Sequence, residues 1–161
     1  MSNFYQGEVV VNGRRYPGGE QAFHGEKFQL IARSETMPLS MQKGMLQHAS
    51  KFQSVADPLM AKTMGGKGKK GYKLLPEQLS EWDQGGADRV QLEICRYKLR
   101  HDTIVRDVLI ASGTRPLLHQ DNRAKQNCVW GGRIDKDSGA LIGNNKLGKA
   151  WVMMRNEIVI T

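Results

Sequence analysis

Cysteine is scarce in this chain of 161 residues, and the two present, Cys95 and Cys128, are far apart and form no C-x-x-C pair. A disulfide framework or a cysteine-based metal site is therefore not expected, and both read as free thiols that fill the core. Long apolar runs are also missing. No stretch approaches the roughly 20 residues that span a bilayer, and Met1-Ser2-Asn3-Phe4-Tyr5 has neither the basic nor the apolar region of a signal peptide. The expectation is a cytoplasmic protein without a membrane partner. Internal repeats and linker-like segments are absent too, so residues 1–161 read as one domain. A phosphate loop is suggested by Gly65-Gly66-Lys67-Gly68-Lys69-Lys70-Gly71, but no Ser or Thr follows a Gly-Lys pair and no apolar strand precedes it. It reads as a mobile basic loop able to close over an anion.

What is present is an ordinary globular composition: 39% hydrophobic and 25% charged residues, too apolar for a disordered chain. Lys and Arg outnumber Asp and Glu by 24 to 16, for a net charge of +8. Such a field attracts phosphate, whether in nucleic acid or in a small nucleotide, and it also serves solubility.

Along the chain, the β-branched run Val9-Val10-Val11 before Asn12-Gly13 predicts a hairpin, because Asn-Gly suits a turn with positive φ at both centres. Pro17-Gly18-Gly19 is expected to break the second strand. Glu20 then opens a helix with Phe23, Lys27, Leu30 and Ile31 on one face. A helix is expected over 39–52, and Asp57-Pro58 caps a short one through Met64. From Ala87 to Ala111, Val90, Ile94, Tyr97, Ile104, Val108 and Leu109 make a helical stripe with an interruption near His101-Asp102. Val129-Trp130-Gly131-Gly132 reads as a short strand or turn, and 146–157 as a closing helix with Leu147, Trp151, Met154 and the following Ile158 toward the core. Few strands among many helices, without βαβ alternation, predict an α+β fold, mainly helical, with a short N-terminal hairpin and a small sheet.

Three ordered segments resemble the YbiA-like family, also called NADAR. Ser2-Asn3-Phe4 is followed by Glu20 and, seven residues on, Lys27-Phe28, like the family's S-N-F and its E-x-x-x-x-x-x-K-F helix. Ala56-Asp57-Pro58 leads into Met64-Gly65, and Trp82 precedes the helix that carries Lys98-Leu99. Trp130-Gly131 is followed by Gly143-Asn144-Asn145-Lys146-Leu147-Gly148 and then Arg155, similar to the family's W-G, G-x-N-x-L-G and C-terminal arginine. The resemblance covers nearly the whole chain.

It implies a metal-independent N-glycosidase without a cofactor. The substrate would be a phosphorylated ribosyl compound: a ribosylaminopyrimidine phosphate of riboflavin synthesis, or ADP-ribosylated guanine in nucleic acid. Cleaving that bond builds positive charge on the ribose ring, which a carboxylate near C1′ stabilises. Glu20 occupies the family's acidic position and is the expected catalytic group, although a first-turn carboxylate also complements the helix dipole. Asn3, Phe4, His24, Lys27, Trp82, Asn127, Trp130 and Asn145 are the expected substrate contacts. Lys27 and the Lys67 to Lys73 loop would meet phosphate, and Trp82 would stack on the base. The chain departs from the family pattern where Glu and Asp are usual: His119 and Asn127 stand there, with Asp121 as a shifted substitute. That departure keeps open a non-catalytic ADP-ribose or NAD binding module, and the charge keeps open a basic nucleic-acid-binding protein.

Overall fold

The computed structural model describes residues 2–35, 37–66 and 72–158. It is an α+β fold. The chain divides into two compact units, Ser2–Tyr97 and one that begins at Lys98.

The first unit opens with strands β1 (Gln6–Val11) and β2 (Arg14–Gly18), paired antiparallel with Val9 opposite Tyr16 and Val11 opposite Arg14. Asn12 and Gly13 turn the chain with φ of 49° and 74°, as the Asn-Gly pair predicts. The strand continues through Pro17-Gly18 rather than stopping before them. In a two-stranded ribbon every strand is an edge, so a proline without an N–H is tolerated.

Helix α1 (Gly19–Ala32) follows without a loop. Gly18 offers no side chain to cap it; instead the backbone N–H of Glu20 donates to the Asn3 carbonyl at 3.1 Å. Most of α1 is buried, on polar as well as apolar faces, because the hairpin, α2 (Leu39–Lys51), α3 (Pro58–Gly65) and α4 (Pro76–Glu81) all pack against it. Asp57 caps α3 by accepting from the Leu59 N–H at 2.9 Å, with Pro58 at the first helical position. A π-type turn, Trp82–Gly86, leads to α5 (Ala87–His101); Gly85, at φ 118°, breaks the helical path there. Neither α4 nor this turn was expected from the sequence.

The polar burial on α1 is satisfied at Glu26, whose side chain is 3% exposed. Its carboxylate accepts two bonds from the Arg14 guanidinium (2.7 Å each), one from the Tyr16 hydroxyl (2.7 Å) and one from Asn12 Nδ2 (2.8 Å). The hydrogen bond to Glu26 holds Arg14 above its ordinary range, and burial, with Glu26 beside it, pushes the Tyr16 hydroxyl up. Further along the core, Phe28, Phe52 and Tyr72 surround His48. Burial holds that imidazole below its ordinary range, against a backbone hydrogen bond at Met64 that works the other way.

In the second unit Asp102 caps α6 (Thr103–Ala111), its side chain accepting from the Val105 N–H at 3.1 Å, so the predicted interruption is a new helix start. Restarting the helix there shifts its phase. Val105 and Leu109 are buried, whereas Ile104 and Val108, expected in the stripe, are exposed. Strands β3 (Arg133–Ile134) and β4 (Leu141–Ile142) form a second antiparallel ribbon, and Gln120 bridges Gly132 in parallel. Helix α7 (Lys146–Ile158) buries Leu147, Trp151 and Met154. Residues 129–131 are not a strand, because their carbonyls serve the start of α7: Val129, Trp130 and Gly131 accept from Lys146, Leu147 and Asn145, and Cys128 accepts from Asn144. Gly143, at φ 95°, permits this approach; a Cβ there would lie 2.7 Å from the Gly131 carbonyl oxygen. Cys95 is buried, but Cys128 is only half-buried and is not core; neither forms a disulfide. Among the described residues no helix is long and apolar enough to cross a membrane.

Two stability predictions follow from these contacts. Replacing Glu26 by Ala strands Arg14 and Tyr16 and should cost about 3 kcal/mol, measurable by urea unfolding. For His48, the unfolded chain takes up a proton more readily than the folded one. The stability held by its neutral form is therefore complete above the ordinary pKa of 6.5 and is lost as pH falls below it. Melting temperature should drop between about pH 7 and about pH 5, and less steeply in His48→Gln.

Candidate functional site

At about 100° per residue, Glu20, His24 and Lys27 lie on one face of α1. All three are at least nine-tenths buried. The Glu20 carboxylate meets His24 through Oε1, 3.2 Å from Nε2. The other oxygen, Oε2, has no hydrogen-bond partner among the described residues. His24 Nδ1 is buried and also without a partner. This asymmetry assigns the tautomer: a proton on Nε2 can be donated to Glu20, whereas a proton on Nδ1 would be a buried donor with nothing to accept it.

His24 is fixed from three sides. The Phe23 ring stands edge-on to it at 5.5 Å, Phe52 lies 6.1 Å away at a shallow angle, and the Cα of Gly65 closes the third side. A Cβ at residue 65 would fall 2.1 Å from Nδ1, so only glycine fits there. The same glycine accepts from Lys27 Nζ at 3.1 Å, and that ammonium is 5.5 Å from the Phe28 ring centroid. The end of α3 thus seats both basic residues of the face.

The remaining expected contacts of the first unit divide between scaffold and rim. Asn3 exchanges two hydrogen bonds with the buried Gln91, at 2.7 and 3.1 Å, besides capping α1 with its carbonyl. Phe4 is exposed, with Lys62 Nζ 5.5 Å from its ring centroid. Trp82 is 6% exposed and packs edge-on against Phe23 at 4.9 Å. It is a wall behind Phe23, not the open stacking platform expected, because the π-type turn carries its ring into the core. Lys67, Lys69 and Lys70 of the expected phosphate loop lie outside the described residues.

Asn127, Trp130 and Asn145 belong to the second unit. Asn127 is exposed. Trp130 is half-buried, with Lys146 Nζ 5.9 Å from its ring centroid. Asn145, at φ 49°, is a brace: its Oδ1 accepts from the His119 N–H at 2.9 Å and its Nδ2 donates to the Leu117 carbonyl at 2.8 Å. Asp121 is occupied in a turn, with Oδ1 accepting from the Arg123 N–H and Oδ2 3.9 Å from Cys128 Sγ. No group of three His, Cys, Asp or Glu side chains placed to hold a metal ion occurs among the described residues.

Sequence reasoning missed Phe23 and Gly65 as parts of this site. Gly65 had a signal, a glycine at the end of a capped helix, but that reads first as a helix stop.

No protein-family model and no curated protein matches the chain. Its fold is similar to that of the E. coli protein YbiA, solved by NMR, with a TM-score of 0.66 over 99% of this chain and 77% of the other, at 24% sequence identity.

Because a methyl group at residue 65 has no room, Gly65→Ala should destabilise the chain by about 1–3 kcal/mol and displace His24. Thermal unfolding and the imidazole NMR signals of His24 would register the two effects.

Proposed function

We propose that the chain is an N-glycosidase of the YbiA-like (NADAR) family that hydrolyses the C–N bond of a phosphorylated ribosyl compound. The observation that carries this reading is Glu20: a largely buried carboxylate with one oxygen held by His24 and the other unengaged. The fold likeness to YbiA and the three ordered sequence segments agree with it.

In this reading the ribose C1′ lies against Glu20 Oε2. As the bond to the base nitrogen lengthens, positive charge gathers on the ring, and a fixed carboxylate in a water-poor site opposes it strongly. Water then forms the new C1′–O bond and gives up a proton, while the departing base nitrogen gains one. His24 is a positioning residue. Its Nε2 proton keeps Glu20 in one rotamer, and Phe23, Phe52 and Gly65 keep His24 in place. Lys27 supplies a fixed positive charge one turn further along, suited to a phosphate-bearing substrate. The base rests against Phe4 at the exposed rim, since the Trp82 ring is covered.

Substrate candidates are a ribosylaminopyrimidine phosphate and ADP-ribosylated guanine in nucleic acid. Incubation with each, followed by mass spectrometry, should release free base or ADP-ribose. Glu20→Gln should lower kcat by about 10²–10⁴-fold with an unchanged melting profile. Full turnover by that variant would reject Glu20 as the catalytic group. Tight binding of ADP-ribose without hydrolysis would instead identify a binding module.

A further inference from the structure

The opposite side of α1 borders a cavity of about 520 Å³, walled by the hairpin, α1 and α5. Glu26, Gln29, Leu30 and Arg33 recur at helical spacing on this side, well away from the face of Glu20, His24 and Lys27. From α5 come Arg89, Glu93 and Arg96, spaced four and three apart and so on one face, and the hairpin adds Arg14. The volume lies within the range of small-molecule sites.

Its chemistry is unusual for a structural cleft: four arginines face two glutamates. One of those glutamates, Glu26, is already committed to Asn12, Arg14 and Tyr16. Arg96 meets Glu93 at 2.8 Å, and Arg89 reaches Glu81 only at 3.8 Å, with both side chains of that pair more than half exposed. Such a pair contributes little and is readily exchanged for another anion. Arg33 is exposed and has no acidic partner among the described residues. Behind this rim the cavity wall is apolar, formed by Val11, Leu30 and Val90. Gln29, 7% exposed, also lines the cavity, and its Oε1 is buried without a partner, an acceptor still lacking a donor.

We propose that this cavity is a second ligand site, taking a nucleotide that carries at least two phosphates. The guanidinium rim matches phosphate oxygens in forked pairs, the apolar wall accepts a flat ring, and Gln29 meets an amino or hydroxyl group on it. The proposal does not depend on the glycosidase reading, since it uses none of the residues around Glu20.

Calorimetry with ADP and with inorganic pyrophosphate tests it. ADP should bind more tightly than pyrophosphate, and Arg33→Ala/Arg89→Ala should weaken ADP at least tenfold. Both side chains are largely exposed, so the fold should survive, as a melting profile would verify; Arg33→Glu alone should weaken ADP in the same direction. Glu20→Gln should leave ADP affinity unchanged, which separates this site from the catalytic one. The proposal is overturned if ADP fails to bind at millimolar concentration or binds the arginine variants as well as the parent chain. It is overturned too if a single-stranded oligonucleotide needs these arginines while ADP and pyrophosphate do not bind, because the cleft would then track a nucleic-acid backbone.

Discussion

A carboxylate taken out of water must find partners or cost several kcal/mol, and the Glu26 cluster is where this chain meets that demand. Arg14 and Tyr16 come from β2 and Asn12 from the turn that precedes it, so one side chain on α1 grips the turn and the second strand of the hairpin at once. The bonds are directional and a slipped register would place Tyr16 on the wrong face. Once α1 is locked against the hairpin, its remaining faces are fixed: His24 and Lys27 toward α3 on one side, and the arginine-rimmed cavity on the other.

Within each unit, much of what resembles a substrate-binding motif is scaffold. Asn3 caps α1 and clasps Gln91, and Trp82 backs Phe23. Asn145 braces the segment before β3, while Trp130 and its neighbours close the start of α7. The side chains of Asn3 and Asn145 permit few substitutions, because a replacement would leave Gln91, or the His119 N–H and the Leu117 carbonyl, without a partner. The chemical reading therefore narrows to Glu20, with His24 as the group that orients it.

The surplus of positive charge is not spread evenly. Lys27 is buried beside Gly65, where a fixed charge can act on a ligand without screening, whereas Arg33 and Arg89 stand in solvent at a cavity mouth, where they are available for exchange. The same net charge of +8 supports either placement.

Local signals in the sequence determined much of the architecture: the Asn12-Gly13 turn, the Asp57-Pro58 and Asp102 helix starts, and the apolar spacing of α7 each depend on neighbours within a few residues. The α+β class and the face shared by Glu20, His24 and Lys27 followed from the same short-range geometry. What only the tertiary structure decided were pairings between distant segments. The burial of Trp82, the seat that Gly65 makes for His24, and the claim of α7 on the carbonyls of 128–131 arise from chain crossings that periodicity does not encode. So does the arginine cavity, since Arg14, Arg33, Arg89 and Arg96 are scattered over eighty-odd positions and converge only where the hairpin, α1 and α5 meet.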